Sequence, residues 1–169
     1  GFMIPVPDAL NDSTDYTFMA DVYYAAGSNG TDRGLGDLSA DYAGAELGIG
    51  SNNAVVAGGS SGSIIPDTWH RVVIVVDGSN GVISRYVDGA LTGSSPIAAA
   101  ELPFGRYTLS SQLDIIGFAF TSEGYANSVS LREGAISHGH AVALGKASAD
   151  GLPAQLPEVP SYVASWVPA

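Results

Sequence analysis

Seventeen carboxylates, three histidines and eight tyrosines are the side chains of this chain best able to do chemistry, and it has no cysteine. Thiolate catalysis, disulfides and cysteine metal sites are therefore excluded. Cleaving a glycosidic bond takes two carboxylates. A retaining pair stands about 5–5.5 Å apart, and residues i and i+2 of a strand present both on one face. Two acidic pairs that come close, Asp37 with Asp41 and Asp8 with Asp12, fall outside strand-like runs. None of the glutamates Glu46, Glu101, Glu123, Glu133 and Glu158 has an acidic residue two positions away. No catalytic residue is assigned.

His70 follows Trp69 at a strand start and reads as structural. On a helix, His138 and His140 stand about 200° apart and cannot share a metal, so they read as solvated residues of the helix start. The run Gly59-Ser60-Ser61-Gly62-Ser63 reads as a low-complexity turn rather than a nucleophile site. Calcium prefers several oxygen ligands, backbone carbonyls among them. Two oxygen-rich segments, Asn29 to Arg33 and Asp8 to Asp15, suit it. Asp15, Asp32 and Asn127 are its candidate ligands, against the reading that they only cap turn backbone. A pyranose has apolar C–H faces and polar edges, so sugar binding uses aromatic rings flanked by hydrogen-bonding groups. Tyr23, Tyr42, Tyr86 and Tyr125 lie beside loops or on polar faces and are the candidate ligand-binding residues. Tyr16, Phe18 and Trp69 read as core.

The elements that would position these residues are strands. Asp15 to Ala26 alternates with period two, placing Tyr16, Phe18, Ala20, Val22 and Tyr24 on one face, which predicts a half-buried strand. Glu46 to Ile49 and Ala54 to Val56 read as short hairpin strands. Val72 to Val76 is apolar on both faces, as in the centre of a two-layer sandwich. Val82 to Val87 follows across a turn at Asn80-Gly81, and Asp88-Gly89 makes a second turn. Ser94 to Pro103 reads as a loop. Arg106 to Leu109, Leu113 to Thr121 and Tyr125 to Glu133 read as further strands. One short helix is signalled by Ser137 as N-cap and Gly145 past its end. The expected fold is all-β, a two-sheet antiparallel jelly-roll sandwich with one short helix near the C-terminus.

The 169 residues carry 22 glycines, 9 prolines and a net charge of −11. That charge repels phosphate backbones and anionic lipids, so neither nucleic-acid nor membrane-surface binding is expected, and no run reaches the ~18 uncharged apolar residues that membrane insertion takes. The start, GFMIPVPD, lacks a basic head and does not read as an intact signal peptide. Residues 1–153 are expected to form the sandwich, and residues 154–169 a Pro-rich extended tail or linker.

Trp69-His70-Arg71-Val72, Asp77-Gly78 and Tyr86-Val87-Asp88-Gly89 together resemble the laminin-G-like group of the concanavalin-A-like jelly rolls. Gly124 to Leu131 is similar to that family's Gly-x-Ile-Asp-Glu-Val-x-Ile strand, and Ala135 to Gly145 to its closing helix. The segment Gly145 to Pro153 resembles a bacterial subgroup attached to secreted hydrolases. Asn127-Ser128 replaces that strand's acidic pair, whose Asp is in many relatives associated with structural calcium; asparagine in its place should weaken or abolish binding. The resemblance implies a fold that hosts lectins, carbohydrate-binding modules, adhesion modules and glycan-cleaving enzymes.

Together these readings lead to a non-catalytic recognition module, carbohydrate-binding, bacterial, secreted or at the cell surface, and accessory to a secreted protein. Its partner would be a glycan or cell-surface polymer, with calcium as a structural cofactor. The rival reading is a structural or adhesive surface subunit that self-associates, with Leu156 to Val167 adding as a strand to a neighbouring sheet edge.

Overall fold

A computed structural model of the chain describes residues 2–3, 13–37, 46–97, 108–109 and 124–157. In chain order the strands are β1 (Phe2–Met3), β2 (Asp15–Tyr24), β3 (Arg33–Asp37), β4 (Glu46–Ile49), β5 (Val55–Val56), β6 (Ser60–Ser61), β7 (Trp69–Asp77), β8 (Val82–Val87), β9 (Ala90–Pro96), β10 (Thr108–Leu109) and β11 (Gly124–Glu133). Helix α1 (His138–Ala143) follows. A five-stranded antiparallel sheet has the order β11-β2-β7-β8-β9, and a four-stranded one the order β3-β4-β5-β6. β1 pairs with β10.

The two-faced apolar strand lies where its composition predicts, with β7 in the middle of the larger sheet. Its inner face, Val72, Ile74 and Val76, joins Phe18, Ala20 and Val22 of β2 against Leu35, Leu47, Ile49 and Val55 of the smaller sheet. Removing this apolar surface from water is the main driving force of the sandwich. Tyr24 ends the inner row of β2, with the Arg33 guanidinium 5.0 Å from its ring centre. Burial pushes its phenol up to about 12, a shift that Arg33 partly offsets. Arg85 is also buried on the inner side. It reaches the smaller sheet by donating Nη1 to the Ala57 carbonyl (2.6 Å) and Nε to Ser61 Oγ (2.7 Å).

The outer face of the larger sheet is covered as well. Met19, Val73, Val75 and Tyr86 pack against Ala141 and Leu144, with Ile136, Leu152 and Leu156 at the margin. β2 is therefore buried on both faces along most of its length, not on one as its alternation predicts. Its cover comes from a segment more than a hundred residues later in the chain. A second departure is β9, a strand where Ser94 to Pro96 was expected to begin a loop. It lies at the sheet edge, where polar residues and a terminal proline are tolerated. The expected strand Leu113 to Thr121 lies outside the described residues.

Turn chemistry fixes the β7-β8-β9 meander. At the β8–β9 turn Asp88 (φ 53°) and Gly89 (φ 80°) are both left-handed, the requirement of a two-residue type I′ turn. Gly89 is doubly constrained, because a Cβ there would stand 2.7 Å from the Val142 carbonyl of α1. At the β7–β8 turn only Gly81 is left-handed; Asn80 instead donates its side-chain amide to Asp77 Oδ2 at 2.7 Å. Helix α1 starts where its cap predicts, with Ser137 Oγ accepting the His140 N–H. Ser137→Ala should therefore cost about 1 kcal/mol. The expected readout is a lower urea midpoint at unchanged m-value.

Candidate functional site

Register pairing places one aromatic residue on each of three neighbouring strands. Tyr125 of β11 stands opposite Tyr23 of β2, and Tyr23 opposite Trp69 of β7. Directly paired residues point to the same side of a sheet, so the three rings form one row on the outer face. Ring centres are 5.8 Å apart for Tyr23–Trp69 and 5.9 Å for Tyr23–Tyr125, with planes tilted by 50° and 62°. Trp69 is 42% exposed and Tyr125 56%. The helix and the segment after it cover the next rows of this face, and among the described residues this cover does not extend to the aromatic row. Trp69 is thus not a core residue as its position beside Val72 suggests. It is the first residue of β7, beyond the reach of that cover.

A polar group sits at the row. The Tyr23 hydroxyl donates to Asp67 Oδ1 (3.3 Å), which also accepts the Ala26 N–H (3.0 Å). Asp67 has a left-handed backbone, φ 59°, and its N–H donates to the Tyr24 carbonyl. Among the described residues nothing donates to its other oxygen. The loop carrying Asp67 is pinned by His70, whose Nε2 accepts the Ile65 N–H (2.9 Å) while Nδ1 faces Asp88 Oδ2 (2.7 Å). The adjacent row of the face is the pair Asp21–Arg71, both buried. Arg71 Nε and Nη2 donate to the two Asp21 oxygens (2.7 and 2.8 Å). Nη1 donates to the Leu144 carbonyl (2.6 Å) and Nη2 also to that of Gly151 (2.9 Å), which ties the covering segment down.

The other expected site residues are scattered. Tyr86 is not on an open face. It is 4% exposed beneath α1, with its ring beside His138 and its hydroxyl 3.3 Å from His138 Nδ1. That burial raises its phenol. Tyr42 lies outside the described residues. Asp15 begins β2, where Ser79 donates its N–H and hydroxyl to it. Asp32 accepts the Ser51 N–H in the loop before β3. Asn127 is the extra residue of a bulge in β11 and donates Nδ2 to the Ser148 carbonyl (3.1 Å). Ser128 Oγ accepts the Leu152 N–H. The two positions that carry the acidic pair in relatives thus clamp the C-terminal segment through neutral hydrogen bonds. Asp15 and Asn127 sit at opposite ends of the β2 ladder, about 20 Å apart at ~3.3 Å per residue, and Asp32 lies by the smaller sheet. These three residues do not assemble an oxygen cage for calcium.

Two arrangements with catalytic overtones have structural uses instead. In a nucleophile triad, one imidazole nitrogen faces a carboxylate and the other receives the nucleophile's proton. In His70 that second nitrogen is taken by backbone. Gly58-Gly59-Ser60-Ser61-Gly62 has the letter spacing of a nucleophile elbow, which needs a sharp strand-to-helix turn. Here Ser60–Ser61 is strand β6 of a sheet, and Ser61 Oγ accepts from Arg85. Sequence spacing also missed two acidic pairs set opposite each other by strand register: Asp15 and Asp77 across β2 and β7, each engaged by donors of the 78–80 turn, and Asp37 and Glu46 across β3 and β4.

A family profile described as the concanavalin A-like lectin/glucanases superfamily matches residues 4–133. The chain belongs to that superfamily. No curated protein matches it in sequence. Among solved structures, a Bacteroides ovatus protein named as a candidate carbohydrate binder is 16% identical, with a TM-score of 0.57 over 80% of this chain and 42% of that one. A Trypanosoma rangeli sialidase is 20% identical (TM-score 0.54), over 77% of this chain and 22% of the enzyme. The CBM40 module of a Ruminococcus gnavus sialidase, solved with α2,3-sialyllactose, is 9% identical (TM-score 0.50), over 81% and 85%. The chain thus spans less than half of the Bacteroides protein. At these identities the likeness shows the fold: a lectin-like jelly roll, two packed antiparallel sheets and a short helix. No helix among the described residues is long and apolar enough to cross a membrane.

Proposed function

We propose that this chain is a non-catalytic carbohydrate-recognition module, and that its ligand lies on the row Tyr125–Tyr23–Trp69. The observation that carries the reading is the row itself: three register-aligned rings at one end of the sheet, the outer two exposed, with an acidic acceptor beside them. Aromatic faces stack on sugar C–H surfaces while the carboxylate accepts from hydroxyls at the sugar's edge. Because neighbouring rings are tilted by 50° and 62°, they suit the sugars of a single chain better than a flat crystalline surface. The superfamily supports the reading, and so do the glycan-named proteins of the same fold.

We also place the module outside the cell, as an accessory to a larger protein. Support comes from the Bacteroides protein and the sialidase, of which this fold makes up only part. The test is a glycan array with the wild-type chain, followed by titration of each hit. At least one oligosaccharide should bind, with quenching or a blue shift of tryptophan emission, and no reducing sugar should be released on prolonged incubation. An empty array at millimolar glycan would sink the binding reading, and released sugar would sink the non-catalytic one.

A further inference from the structure

We infer that the aromatic row takes an uncharged oligosaccharide and discriminates against acidic sugars such as sialic and uronic acids; this rests on the glycan-binding reading above. Asp67 decides it. Its Oδ1 is bound by Tyr23 and Ala26, so its charge is held within hydrogen-bonding reach of the central ring. Its second oxygen has no donor among the described residues and is open to a sugar hydroxyl. A neutral sugar supplies such donors. A sugar carboxylate brings a like charge, which at close range and near a protein surface is a substantial repulsion.

The described arginines are not placed to reverse this. Arg71, in the adjacent row, is 3% exposed, and its guanidinium is committed to Asp21 and to the Leu144 and Gly151 carbonyls. Arg33 and Arg85 are buried beneath the sheets. Arg132 pairs with Thr17, six residues along β2 from Tyr23 and so about 20 Å away at ~3.3 Å per residue. Lys146 is exposed on the segment that runs from Leu144, bonded to Arg71 in the adjacent row, to Ser148, bonded to Asn127, so it is the described cation best placed to approach the row; it is a single flexible charge set against Asp67. The chain as a whole carries −11, so the long-range field also opposes an anionic ligand.

The experiment titrates the full chain with matched pairs of oligosaccharides differing only by an acidic sugar. Lactose against α2,3-sialyllactose is one pair; a xylo-oligosaccharide against its glucuronate-bearing form is another. In any pair whose neutral member binds, the acidic member should bind at least tenfold more weakly, and added salt should narrow the gap. Asp67→Asn removes the charge but suits the left-handed backbone, so the fold should survive, as circular dichroism and thermal melting would show. In that variant the gap should fall below threefold. Equal or tighter binding of the acidic member by the wild type would overturn this inference and leave the module a lectin. An unchanged gap in Asp67→Asn would overturn the role given to Asp67. Silence from both members across all pairs would instead overturn the glycan reading itself.

Discussion

Arg71→Met is expected to cost about 3–5 kcal/mol of folding stability, the usual penalty for removing one partner of a buried ion pair. For a domain of this size that lowers Tm by roughly 6–20 °C. The reason lies in what remains behind. Asp21 is 0% exposed and would keep a carboxylate with neither a counter-charge nor water. The Leu144 and Gly151 carbonyls would lose their donor in the same step. Because those two bonds hold the segment after α1 on the sheet, the loss should be felt there first. Amide exchange in residues 138–152 should accelerate more than exchange in β7 or β8. Arg71→Lys should rescue little, since an ammonium cannot span both Asp21 oxygens and two carbonyls in one plane. The double variant Arg71→Met with Asp21→Val should regain much of the loss, because apolar replacement of a whole buried pair is often near neutral. A single variant that melts within 2 °C of wild type would show that the pair is not what anchors the C-terminal cover.

The same pair marks the limit of what the sequence alone reveals. Local signals are dependable here: alternation in β2, two-faced apolarity in β7, Asp88-Gly89 for the turn, and Ser137 with Gly145 for the helix. Each depends on neighbours within a few residues. What escaped needed information from far along the chain. Tyr86 reads as an exposed polar-face tyrosine until α1, some fifty residues later, is laid over it. Trp69 reads as core because it adjoins the apolar run of β7, yet its facing follows from pairing with Tyr23 on a distant strand. One clue was available: strand alternation puts Trp69 on the face of Arg71, not of Val72. Asp67 was unreadable, since its importance is a hydrogen bond to a ring forty-four positions away. Asn127 belongs with them: its sequence context points only to a weakened calcium ligand, and its hydrogen bond to the Ser148 carbonyl needs a segment twenty-one residues later.

The largest functional effect is expected from truncating both outer rings of the row. Trp69→Ala with Tyr125→Ala should lower affinity for the best neutral glycan by about a thousandfold. Each ring, if it is a hot spot, is worth about 2 kcal/mol, and 1.4 kcal/mol is a factor of ten. The two positions flank Tyr23 on either side, two strand spacings or about 10 Å apart, so their contributions should nearly add. Stability should hardly change. Both rings are substantially exposed, and removing them leaves little internal cavity; Tm should stay within about 3 °C. That separation of affinity from stability is what distinguishes a binding platform from ordinary packing. Tyr23→Ala would not give it, because Tyr23 also braces Asp67. Tyr86→Phe supplies the control: it deletes a buried hydroxyl whose partner among the described residues is His138, away from the row, so affinity should be unchanged. Calorimetry on the three proteins reads the outcome directly. If the double variant keeps its affinity within threefold, the ligand sits elsewhere on the sandwich and the aromatic row is only a solvent-exposed seam between strands.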